Sequence, residues 1–402
     1  MAACMHPLEE FVELPDVNTL PAGSFIPSSV EYGIKGAETI LDEYLSQEEE
    51  TKATGLDFGA VAKELFSTAN ARKVVSYIGT YKSTDQYGNP VTLSGRIVLP
   101  ANGEVKRLMI MNHYTIASNA EAPSVSFPFE CITAADGIGM IVPDYLGYGI
   151  TADRVHPYLV ADLTARNVLD MFFASLPFLD QIGRSPVNDD IFIYGYSQGG
   201  ATAMEVLRYI EKHHGDLKVR LCMAGGGPYD ICATYDKLIT DDNTAIPYAV
   251  PLIIQGMDVG CFLNLNYEEY FKPRLLENFD EWINSKKYQN AQITNLIGTH
   301  KLRDILTEDA MNKRSPSMSR LYRAMMDNSL LNDYNWRPKT PCYVFHSMDD
   351  NVVPYLNLVR FAERYNGECN VTTNVGHYGS HVMGAVHFLF STRSFLKEHN
   401  EI

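Results

Sequence analysis

The chain has 402 residues, with 33 Lys and Arg against 49 Asp and Glu for a formal net charge of −16, and 46% of it is apolar. That balance argues against sequence-independent binding to nucleic acid or to an anionic lipid surface, because both need a Lys/Arg face to displace counterions. No apolar run approaches the roughly 20 residues that span a bilayer, and seven Cys without a CxxC pair or a Cys/His cluster point to free thiols, not to a disulfide scaffold or a zinc module.

At the start, Met1-Ala2-Ala3-Cys4 is similar to the end of a bacterial lipoprotein signal, with small residues directly before a Cys. A secreted or envelope-tethered protein is one expectation, and a cytoplasmic protein with an ordinary Cys4 is the other. Pro7, Pro15, Pro21 and Pro27 predict an extended arm or loop over residues 1–30 in place of regular structure. From about 30 to 72 the spacing of Ile40, Leu41, Tyr44, Leu45 and of Phe58, Val61, Leu65, Phe66 is helical. The period then changes to that of two β-rich runs joined by the turn Asp85-Gln86-Tyr87-Gly88-Asn89, which predicts a hairpin.

Strands and helices alternate from there. Strands are predicted at 108–112, 139–145, 191–196 and 219–224, with helices at about 160–182 and 198–213. This rhythm implies an α/β fold, a mostly parallel sheet flanked by helices. Between 231 and 336 it gives way to helical stretches rich in Tyr, Leu, Asn and Met, read as an inserted helical cap. Strands at 341–345 and 370–375 and helices at 356–365 and 383–396 complete the pattern. The predicted organisation is therefore an N-terminal arm with helices (1–72), a core made of 73–230 and 337–402, and the cap of 231–336. Oligomeric state is not legible.

The strongest chemical signal is Gly195-Tyr196-Ser197-Gln198-Gly199-Gly200, directly after the apolar strand and directly before a helical run. At ordinary Gly and Ser frequencies, G-x-S-x-G is expected by chance roughly 0.1 times in a chain of this length, and the strand–turn–helix context reduces that further. Such a turn lifts the Ser above the sheet edge, where its weak hydroxyl needs a base and a group that orients the base. The acid candidates are Asp349 and Asp350, which leave a strand end. The base candidates are His377 and His381, in the loop after the last strand. His387 falls within a helix, His213 and His214 end one, and no H-E-x-x-H or comparable metal spacing exists.

With these pieces placed, the chain resembles the α/β-hydrolase superfamily and, more narrowly, the secretory-lipase-like esterases. The resemblance covers about 75–402. It includes GYSQGG, the segment Pro143-Asp144-Tyr145-Leu146-Gly147-Tyr148-Gly149, GGGPYD at 225–230 and PLIIQG at the opening of the cap. It implies the order Ser197, Asp350, His381. Asp350 precedes Val353-Pro354 as in a D-x-x-V-P loop, and Gly379-Ser380-His381 resembles a G-D-H segment, while Asp349 and His377 stay as alternatives. It also implies an oxyanion hole from the N–H of Gln198 and that of Tyr114 or Thr115, where the usual His-Gly segment has His113-Tyr114. His113, Asp144, Tyr145 and Tyr196 are then expected at the pocket. Ester hydrolysis of a small-molecule substrate, without metal or organic cofactor, is the activity implied. A prolyl-type peptidase, an acyltransferase or a catalytically silent binding protein on the same scaffold would share much of this pattern.

Overall fold

The computed structural model describes residues 20–32, 73–365 and 370–402. The predicted helices before residue 72 and the Cys4 reading lie outside that set. Strand β1 (Phe25–Tyr32) is a correction, since it forms where the prolines predicted a loop. It pairs antiparallel with β2 (Val74–Thr84), with Pro27 opposite Tyr77. An edge strand has one unpaired side, so it tolerates a residue with no N–H to donate.

Strands β2 and β3 (Pro90–Pro100) form the predicted hairpin, in continuous register from Val74↔Pro100 to Thr84↔Pro90. Its turn is tied by Asp85, whose Oδ1 accepts from the N–H of Tyr87 and of Asn89, both at 2.9 Å. Strands β4 (Arg107–Asn112), β5 (Ile138–Pro143), β6 (Ile191–Tyr196), β7 (Val219–Gly225), β8 (Cys342–Ser347) and β9 (Val371–Gly376) complete the sheet. Its order is β1-β2-β3-β5-β4-β6-β7-β8-β9. Pairing is antiparallel as far as β5 and parallel from β5 onward.

The central strands are buried on both faces, which explains why they read as near-continuous apolar runs. Leu108, Ile110, Ile191 and Ile193 face one layer, containing α1 (Ala161–Gln181), α2 (Gln198–His213) and α8 (Leu356–Tyr365). Met109, Met111, Phe192 and Tyr194 face the other, containing a 3-10 segment (Phe129–Asp136) and the final helix α9 (His381–Glu398). Between β7 and β8 run α3 (Ile231–Asp241), α4 (Ala249–Cys261), α5 (Pro273–Phe279), α6 (Asn290–Ile297) and α7 (Met318–Asp327). These helices share a third core, joined from below by Tyr158, Leu159 and Ala201. Cys131, Cys222, Cys232, Cys261 and Cys342 are free thiols, the first two and the last fully buried. No helix among the described residues is long and apolar enough to cross a membrane.

Arg96 on β3 ties the antiparallel end together. Only 2% exposed, it donates from Nε to Pro123 O at 2.5 Å, and from Nη1 to Ser28 Oγ on β1 and Ser76 Oγ on β2 at 3.0 and 2.8 Å. Replacing it with Met removes donors from a buried network while keeping most of the apolar stem. The Arg96→Met chain should lose about 2–4 kcal/mol of stability, read as a lower midpoint in urea unfolding. An unchanged midpoint would mean that the network carries no net stability.

Candidate active site

The predicted site residues come from the C-terminal ends of parallel strands, where an open α/β sheet offers its crevice. Ser197 follows β6 and opens α2 with φ 58° and ψ −123°. A side chain in this region is strained and holds only where packing over-determines it. The flanking glycines supply that packing. A Cβ at Gly195 would stand 2.0 Å from the carbonyl O of Gly199, and one at Gly199 would stand 2.0 Å from the carbonyl O of Asn112. The backbone of the turn is further fixed by Ser197 N–H donating to Gly225 O at 2.9 Å.

His381 Nε2 lies 2.8 Å from Ser197 Oγ, and His381 Nδ1 lies 2.7 Å from Asp350 Oδ2. The other Asp350 oxygen accepts from the N–H groups of Val352 and Val353 at 2.9 and 2.7 Å. Burial works to raise the Asp350 pKa, but His381, then His346 and the Val352 N–H, outweigh it and hold the carboxyl below the usual carboxylate range. With Nδ1–H directed at the carboxylate, Nε2 is left as the acceptor facing the hydroxyl.

The acid and base loops are also tied to each other. Ser347 Oγ donates to Gly379 O at 2.7 Å and accepts from the N–H of Tyr378 at 3.2 Å. Asn351 Oδ1 accepts from His381 N–H at 3.1 Å, and Tyr196 OH donates to His381 O at 2.7 Å. The alternatives His377 and Asp349 pair with each other at 2.9 Å in exposed positions, so the structure does not bring them to Ser197.

A cavity of about 330 Å³ opens over Ser197 and His381, with Tyr114, Thr115 and Tyr196 in its wall. Gln198 is the first residue of α2, so its N–H has no intrahelical acceptor. Three residues expected at the pocket are corrected. His113, Asp144 and Tyr145 are buried behind the wall, where they brace the loops that form it. Asp144 accepts from Ser94 Oγ at 2.5 Å and from Ser124 N–H at 2.7 Å. The Tyr145 ring stacks on His113 at 4.0 Å between centroids. His113 Nδ1 lies 2.7 Å from Tyr114 O, and burial pushes its pKa down to about 4.

His156 gives no signal in the sequence. Its Nδ1 faces Leu146 O at 2.7 Å and must carry the proton, so its Nε2 accepts from the Gln198 side chain at 2.8 Å. Burial lowers its pKa to about 3. The cavity also takes Ile246, Tyr248 and Asn290 from the segment between β7 and β8, and Glu130 from the 3-10 segment. No motif marks any of them. Among the described residues, no group of three or more His, Cys, Asp or Glu side chains could hold a metal ion.

The family described as secretory lipase matches residues 115–389. A comparison with curated proteins gives no match. Among solved structures, a candidate hydrolase of Legionella pneumophila superposes with TM-score 0.75 at 20% identity, over 93% of this chain and 97% of that one. The rice cell wall degrading esterase LipA from Xanthomonas oryzae gives TM-score 0.71 at 20% identity, over 95% of this chain and 97% of that one. Candida antarctica lipase A gives TM-score 0.59 at 15% identity, over 77% and 73%. These likenesses establish an α/β-hydrolase fold.

The buried imidazoles make stability depend on pH. Their folded pKa values, about 4 for His113 and about 3 for His156, lie below the ordinary 6.5. Below pH 6.5 the unfolded chain therefore binds protons that the folded chain does not, and stability falls as the pH falls toward 4. Each contributes up to about 1.4 kcal/mol per pH unit in that window. Urea unfolding from pH 7 to 4.5 should show this decline, and His156→Gln should remove about one such share of the slope. An unchanged slope would mean that His156 protonates in the folded protein.

Proposed function

This chain belongs to the secretory lipase family and is an esterase- or lipase-like hydrolase, and we propose on that premise that it is a serine carboxylic-ester hydrolase acting through an acyl-enzyme. The observation that carries this reading is the line from Ser197 Oγ to His381 Nε2 and from His381 Nδ1 to Asp350, at 2.8 and 2.7 Å, in the wall of the cavity. Ser197 Oγ attacks the ester carbonyl as its proton passes to His381 Nε2. The new C–O bond pushes the carbonyl electrons onto oxygen, and the charge that develops there accepts from the N–H of Gln198 and of Thr115 or Tyr114.

Collapse of this intermediate breaks the bond to the leaving alcohol, which takes the proton back from His381. Water then repeats the sequence on the acyl-enzyme and releases the acid. Asp350, ionised and held by two backbone N–H groups, keeps Nδ1–H in place and stabilises the imidazolium without taking its proton. His113 and His156 stay neutral in this scheme and act only as braces. The helices of 231–336 serve as a cap over the cavity, since Ile246, Tyr248 and Asn290 line it. Membership of a secretory family supports export from the cell.

Initial rates on p-nitrophenyl acetate, butyrate, octanoate and palmitate test this reading. Ser197→Ala and His381→Ala should each lose about 10³-fold or more in kcat/KM, whereas His377→Ala should stay within about twofold, as expected for an exposed surface pair. A parent chain inert on all four esters, or rates that survive Ser197→Ala, would overturn the proposal.

A further inference from the structure

One cavity residue has no part in the acyl chemistry. Glu130 sits in the cavity wall, which it shares with Phe129 and the apolar α9 side chains Val386 and Leu389. Among the described residues, no basic side chain pairs with it. Arg393, which shares a neighbouring cavity with Glu130, is held by both oxygens of Asp136 at 2.7 and 3.1 Å. Arg96 is engaged by Pro123 and by the serines of β1 and β2. The Thr133 hydroxyl donates to the Glu130 backbone carbonyl. Burial pushes the Glu130 pKa upward, opposed only by a hydrogen bond from its own N–H.

A carboxylate placed against apolar and aromatic groups without a countercharge is costly, and a cation brought by a ligand removes that cost. Two aromatic residues of the same cavity, Phe129 and the exposed Tyr114, add rings of the kind that attract a cation. The net charge of −16 favours the approach of cations over that of anions. Resting on the ester-hydrolase reading, we propose that Glu130 and this aromatic wall form a cation subsite, so that esters carrying an ammonium group are preferred over neutral esters of the same shape.

Butyrylcholine and 3,3-dimethylbutyl butyrate differ essentially in a quaternary nitrogen against a quaternary carbon, which isolates charge from size. The parent chain should cleave the cationic ester with a kcat/KM about tenfold above the neutral one, and Glu130→Gln should collapse that ratio toward one. Choline should also inhibit p-nitrophenyl butyrate hydrolysis by the parent more strongly than 3,3-dimethyl-1-butanol does, a measurement that needs no variant to fold. A parent ratio near one, a ratio unmoved by Glu130→Gln, or choline as the weaker inhibitor overturns the cation subsite and leaves ester hydrolysis standing. If the p-nitrophenyl esters are not cleaved in a Ser197-dependent way, the hydrolase reading fails and the subsite with it; if they are cleaved and neither alkyl ester is, the subsite alone is overturned.

Discussion

The approach of helix α2 to the sheet is the constraint on which the site depends. Backbone meets backbone where Gly195 faces Gly199, where Gly199 faces Asn112 and where Gly200 faces Gly225, at separations that leave no room for a Cβ. That proximity forces the chain to reverse sharply at residue 197, which is why a Ser sits at φ 58°. Strain of this kind costs about 1–3 kcal/mol. It is held by packing on both sides of the turn and by the Ser197 N–H bond to Gly225 O. The same geometry puts the start of α2, with its N–H groups and positive dipole end, next to the hydroxyl.

The second constraint is electrostatic. Asp350 is buried, and a buried charge is tolerated only with partners for both oxygens. It has two backbone N–H groups on one oxygen and His381 on the other. His346 adds a fourth neighbour, 3.5 Å from Oδ2, with its Nε2 also directed at Val353 O. The acid loop is therefore shaped by the need to satisfy one carboxylate, and that shape sets where His381 is held. Around it, His113 and His156 are kept uncharged by burial, so they brace loops without adding positive charge beside the imidazolium of the proposed mechanism.

What was legible in the sequence follows from these two constraints. Backbone requirements leave local marks: glycines at fixed offsets from a Ser, an apolar strand before it, an amphipathic helix after it, and a turn bounded by Asp85 and Asn89. The α/β rhythm, the hairpin and the turn that carries Ser197 were readable for that reason. The choice of Asp350 over Asp349 and of His381 over His377 needed resemblance, because both members of each pair satisfy the same local chemistry. Only tertiary placement separates an exposed Asp349–His377 pair from the buried one. Strand β1 was hidden because prolines speak against strands except at an edge, and edges are a property of the assembled sheet. Likewise, Asp144 and Tyr145 are buried away from the cavity, hydrogen-bonded to Ser94, Ser124 and His113, a placement that only the assembled fold reveals.

The residues that no motif marked are those that share the cavity without sharing a neighbourhood in the chain. Glu130 comes from the 3-10 segment before β5, Tyr248 from the turn before α4, Asn290 from the start of α6, and Val386 from α9. Acyl chemistry imposes the same turn and the same proton relay whatever the ester, so it is written in short, contiguous patterns. Recognition imposes only that suitable side chains meet in space, and separate segments can meet in many ways. In the proposed reading, the reacting end of this cavity is specified by the fold, whereas its selectivity would rest on side chains such as the carboxylate at 130, which can change with strand, turn and helix untouched.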